Sequence, residues 1–193
     1  MSSLKLKHSG GNSVSIAAPS SNPASNRTIT VPSTADGTML TTTNPKAGNI
    51  IQVVHVEYNT ATTNSTTSHA DTGLTATITP ASASNKILVM YSQGFRMGRA
   101  SGGTAVSSTI QLRRTVSGTE TAITDNAGYL FYLEAAGTSS QYVYDVLSQH
   151  LVDSPNTTSA VAYKTTARAY TASTSIITQY QAKSFMTLLE VAG

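Results

Sequence analysis

The chain contains no cysteine, which excludes disulfide stapling, thiolate catalysis and cysteine-based zinc sites together. Charge is scarce too: acidic and basic residues fill only 11% of the 193 positions, against roughly 25% in an average soluble protein. Ion pairs are therefore few, and packing and backbone ladders must hold the fold. The net charge is +3, but the 12 Lys and Arg residues are scattered, and only Arg113 and Arg114 are adjacent. Nucleic-acid binding leaves a clustered basic footprint, so no nucleic-acid partner is expected. No run comes near the ~18 apolar residues of a membrane-spanning helix, so no membrane insertion is expected either. Met1 to Lys7 lacks the apolar core of a signal peptide, which predicts synthesis in a cytoplasm and delivery by assembly.

What the chain has in abundance is hydroxyl. Ser and Thr fill roughly three positions in ten, and the branched Cβ of threonine suits a pleated surface. Alternation of apolar and polar residues predicts strands. Before Gly48 it marks three short pieces, Leu4–Lys7, Val14–Ile16 and Thr28–Pro32, separated by Gly- and Pro-rich turns. Strands this short bury too little to stand alone and need a partner. Asn44 to Gly48 reads as a junction, giving a segment 1–48 and a body 49–193.

In the body, strands are predicted at Ile50–Tyr58, Leu74–Thr79, Lys86–Tyr91, Ser108–Arg113, Tyr129–Leu133, Gln141–Leu147, Ala160–Tyr170 and Ser184–Val191. Lys86–Tyr91 is apolar on both faces, as befits a strand covered on both sides or one at a subunit interface. Gln141–Leu151 has room for a short helix, although its Tyr and Val content favours a strand. Eight strands with turns between them make an all-β antiparallel β-sandwich or jelly-roll-like body, preceded by the short-strand segment.

These residues carry a resemblance. Ser9 to Ile16, Asn26 to Pro32 and Asp36 to Leu40 are similar to the amino-terminal segment of tail-fibre-type virion proteins of marine and cyanobacterial phages. Gly48 to Val54 resembles that family's opening strand. Leu74 to Pro80 and Ser84 to Val89 resemble its paired "ITP" and "SKILV" stretches, Leu151 to Thr158 its "LDSP-x-TT" loop, and Leu188 to Gly193 its terminal "EIAG". The resemblance implies a non-enzymatic virion protein on a tail or capsid surface. It would be a homotrimer or another oligomer of itself that meets other virion proteins through segment 1–48 and, through its head, a host glycan or protein or a neighbouring virion protein. The short length, without a fibre shaft, leaves a second option open: a capsid decoration or tail adaptor protein that binds only virion proteins.

The residues themselves point to contact rather than chemistry. His8, His55, His69 and His150 lie far apart, and only His69 and Asp71 have the two-residue spacing of a ligand pair. No nucleophile elbow or phosphate loop is present. The nine acidic residues include no pair spaced for glycosidase work. No catalytic residue, metal or cofactor is therefore expected. Tyrosine, with nine copies, is the main aromatic, and it suits interfaces because it buries area while its hydroxyl stays satisfied. Gly94 to Gly103 reads as a Gly-rich exposed loop bearing Arg96 and Arg99, suited to an anionic glycan or protein. With Tyr129, Tyr132, Tyr142 and Tyr144, these arginines form the candidate contact surface.

Overall fold

The structure is a computed structural model and describes residues 3–17, 45–99, 104–124, 131–135, 139–171 and 174–193. The chain falls into two units, Met1–Met39 and Leu40–Gly193. In the first, β1 (Ser3–Lys7) and β2 (Ser13–Ala17) form an antiparallel hairpin with Leu6 opposite Val14. Its turn is closed by the His8 amide donating to the Asn12 carbonyl at 2.7 Å, with Gly11 at φ 97°. Thr28–Pro32 lies outside the described residues.

The body holds eleven strands among its described residues: β3 (Ile50–Tyr58), β4 (Thr62–Asn64), β5 (Ala70–Ile78), β6 (Lys86–Arg99), β7 (Val106–Val116), β8 (Thr119–Ala122), β9 (Phe131–Leu133), β10 (Gln141–Asp153), β11 (Val161–Ala169), β12 (Thr174–Thr178) and β13 (Ser184–Val191). They form two antiparallel sheets that pack face to face, so the expected β-sandwich is present. One sheet runs β3-β13-β6-β10, with β12 on the far half of β6 and β4 beyond it on β12. The other runs β5-β11-β7-β8, with β9 also on β7. The first strand of the body thus lies beside the last, and the chain passes several times between the two sheets, from β5 to β6 to β7 and from β9 to β10 to β11 to β12.

Strand β6 organises the first sheet. Its 14 residues pair with β10 along one edge, and along the other edge with β13 at Lys86–Ser92 and with β12 at Phe95–Arg99. The change of neighbour is made by the turn after β12, where Gln179 and Gln181 adopt φ of 55° and 54°. The Gln179 amide donates to the Gly94 carbonyl at 2.8 Å, which pins that turn to the strand.

Among the described residues the core has two apolar clusters. The larger gathers Leu74, Ile78, Ile87, Val89, Leu112 and Leu188, and the smaller gathers Phe95, Met97, Ile110, Ala167 and Ile176. A buried polar layer stands between them. Thr165 Oγ1 donates to Gln93 Oε1 at 2.7 Å and shares a 2.6 Å hydrogen bond with Thr72, while Gln93 Nε2 donates to Ser184 Oγ at 2.9 Å. Turned so that its oxygen faces Gln93 Nε2, the Gln179 amide donates to the Thr60 and Thr72 carbonyls, each at 3.2 Å. Buried polar groups cost stability unless partnered, and these partner one another.

One expectation about local structure is corrected. Gly94 to Arg99 is strand, the second half of β6, and not an exposed loop. Its glycines are there because neighbours sit where a Cβ would stand: the Cβ of Ala182 at 2.9 Å from the Gly94 position, and Tyr142 Cδ1 at 2.2 Å from that of Gly98. Gln141–Leu151 is strand throughout with no helical turn, as its Tyr and Val content favours.

Candidate contact surface

Because side chains alternate along a strand, each sheet has an outer face, and in an antiparallel sandwich that face is normally polar. The β5-β11-β7-β8 sheet follows the rule. Its outer face carries an ion-pair lattice in which Glu120 bridges Arg113 and Lys164, and Lys164 also reaches Asp71 at 2.8 Å.

The other outer face does not. The strand registers place Val152, Leu88, Leu189 and Val53 side by side across β10, β6, β13 and β3. This apolar row crosses four strands, and its outer members Val152 and Val53 are 60% and 58% exposed. The next rows are His150, Met90, Thr187 and His55, then Ser148, Ser92, Phe185 and Glu57. His55 stacks on Phe185 with ring centroids 6.1 Å apart. Contiguous apolar surface of this kind marks a contact site more often than a free surface.

Further along the same face the chemistry changes. Arg96, opposite Tyr144 in the β6–β10 register, lies against two rings: its guanidinium carbon is 4.7 Å from the centre of Tyr142 and 4.3 Å from that of Tyr180. Tyr144 meets Tyr180 with centroids 5.6 Å apart. The two glycines of β6 make this cluster possible. Gly98 gives Tyr142 room against the strand, and Gly94 admits Ala182, bringing in the turn that carries Tyr180. Among the described residues, Arg96 has no carboxylate within ion-pair distance.

The structure therefore gathers three of the expected contact residues, Arg96, Tyr142 and Tyr144, and separates the others. Arg99 is 1% exposed; its guanidinium donates to the Thr104 and Glu134 carbonyls and to Gln141 Oε1, so it ties chain segments together and is not on the surface. Tyr132 is exposed on β9, in the other sheet. Tyr129 lies outside the described residues. Tyr180 was not foreseen, because it sits alone between two glutamines and only the turn through Ala182 carries it to Arg96.

Other chemically capable groups are committed elsewhere. His69 Nδ1 bonds Thr166 Oγ1 at 3.1 Å, and burial, with help from Arg168 and Arg113, holds its imidazole below the ordinary value. Its sequence neighbour Asp71 pairs with Lys164, so the two do not converge. Among the described residues, no group of three or more His, Asp or Glu is placed to hold a metal ion. Asp153 joins the sheets instead, accepting from Arg114 at 2.8 Å and from the Tyr163 hydroxyl at 2.7 Å.

Glu190, fully buried at the end of β13, accepts from Asn85 Nδ2 and Gln52 Nε2, each at 2.6 Å, and from the Ala81 amide at 2.7 Å. Burial pushes its carboxyl up, but these donors and the Ser82 amide outweigh burial and hold it below the ordinary 4.5. It anchors the 79–85 turn and is sealed from solvent.

No protein-family model matches this chain, and no curated protein is significantly similar to it.

Proposed function

We propose that this protein is a non-enzymatic phage virion component, a short trimeric tail-fibre or host-adhesion protein attached through its amino-terminal segment. The observation that carries the reading is the contrast between the two outer faces. One bears a lattice of linked ion pairs, as a solvated face should, and the other, apart from the Glu57–Lys183 pair, offers the row Val152, Leu88, Leu189 and Val53 together with an aromatic cluster. A second copy of the chain is the occupant that fits the apolar row, because the row is uncharged and the phage-fibre resemblance implies a trimeric or otherwise oligomeric protein. Adhesion would then be multivalent, with weak contacts repeated across subunits giving avidity without a tight single site. Two experiments test this. Light scattering coupled to size-exclusion chromatography should give the mass of three chains, and a monomer would count against the fibre head. An antibody to the chain should label tails of particles assembled from the genome that encodes it. Label on the capsid shell alone would favour the decoration-protein alternative.

A further inference from the structure

We infer that Arg96, Tyr142, Tyr144 and Tyr180 form a binding site for an acidic saccharide, a glycan bearing carboxylates. This rests on the host-adhesion reading and names what the head would grip. The site belongs to the same outer face as the apolar row but is distinct from it. Arg96 lies eight positions along β6 from Leu88, about 26 Å at roughly 3.3 Å per residue.

The argument begins with Arg96. A guanidinium lying against ring faces is held by cation–π attraction through its planar surface, which leaves its in-plane N–H groups for a ligand. Those groups form a fork that matches a planar carboxylate. Elsewhere the described arginines nearest carboxylates are paired, Arg113 with Glu120 and Arg114 with Asp153. Arg96 has no such neighbour within ion-pair distance among the described residues.

The tyrosines supply the rest of the site. Tyr144 is 58% exposed and Tyr142 43%, and both stand on β10, whose outer edge pairs with no strand among the described residues. Exposed ring faces suit the apolar C–H face of a sugar, while phenolic hydroxyls meet its hydroxyl groups. Rings and fork are held in place before any ligand arrives, by the β6–β10 ladder on one side and the Gln179–Gly94 hydrogen bond on the other, which lowers the ordering cost of binding. An exposed, Tyr-rich surface with a single fork favours a chain of sugars over a small ligand that must be enclosed.

The test uses the full-length chain on an array of uronic- and sialic-acid oligosaccharides, each beside its carboxyl-reduced counterpart. Retention of acidic members over their reduced forms is expected. Arg96→Lys keeps the charge but loses the fork and should weaken binding about tenfold or more. Tyr144→Ala should do the same, whereas Tyr144→Phe, which keeps the ring, should bind nearly as well as the parent. Equal retention of acidic and reduced glycans overturns the inference, and so does an Arg96→Lys variant that binds normally. Equally strong binding of a poly-glutamate peptide would assign the site to an acidic protein and overturn it too. If the chain coats intact bacterial cells yet ignores acidic glycans, this inference falls while the adhesion reading stands. If it binds neither, both fall.

Discussion

The ring of Tyr142 packs on the backbone of Gly98, its register partner across β6 and β10, so closely that a Cβ at 98 would stand 2.2 Å from Tyr142 Cδ1 and 2.6 Å from the Gln141 carbonyl oxygen. Gly98→Ala must therefore move both the ring and the neighbouring strand. We expect a loss of roughly 1–3 kcal/mol, typical of overpacking, read as a lower urea midpoint. Removing the ring in Gly98→Ala/Tyr142→Ala should recover only part of the loss, because the Gln141 carbonyl remains. Full recovery would show that the backbone clash is unimportant.

Glu190 sets an acid limit on stability. Its folded value lies below the ordinary 4.5, so its contribution is complete above that pH and is lost as pH falls through the depressed folded value. Glu190→Gln removes the charge while keeping the shape, and leaves donors from Asn85, Gln52 and Ala81 facing an amide. The expected cost at pH 7 is roughly 1–3 kcal/mol. Thermal unfolding at a series of pH values should show the gap between parent and variant narrowing on acidification. A gap of constant size would mean that the charge is not responsible.

The buried polar layer predicts coupling. Thr165→Val removes the hydroxyl that donates to Gln93 and bonds Thr72, leaving buried groups unpartnered at a cost of roughly 1–3 kcal/mol. Thr72→Val should cost less, because its contact with Gln93 is longer, at 3.4 Å. In the double variant the shared hydrogen bond is lost once and not twice, so the effects should sum to more than the double measures. Strict additivity in chemical denaturation would contradict the shared network.

Much of this fold is legible in period-two alternation, since half-buried strands must alternate. Ser184–Val191 matches its predicted bounds, and Ile50–Tyr58 does as well. What escaped reading has physical causes. Gly94 and Gly98 look like loop residues because glycine usually serves flexibility, yet here it makes room for Ala182 and Tyr142. The polar layer is invisible in a chain so rich in hydroxyl, because a buried Thr165 and an exposed Thr63 are spelled alike. Strand β12 is only five residues long and was missed, and Tyr180 depends on the turn that follows it. Arg96 was recognised for its charge, but the pairing that gives it a role is a matter of register across three segments of chain.

The apolar row yields a final prediction about assembly. Val53 and Val152 sit at its two ends, more than half exposed, and contribute little to the core of their own subunit. Charging both, in Val53→Lys/Val152→Lys, should leave the melting temperature of a dilute monomer nearly unchanged, since surface substitutions usually fall within about 0.5 kcal/mol. At an interface of repeated copies the same change places like charges in apolar surroundings, where their desolvation is costly. Light scattering should then report a shift from three chains to one. The Arg96 cluster lies at the other end of the face, so the monomeric variant should keep its intrinsic glycan affinity while losing avidity on a densely coated surface. A variant that remains trimeric would move the subunit contact off this row, and one that loses single-site binding as well would show that the two ends of the face are not independent.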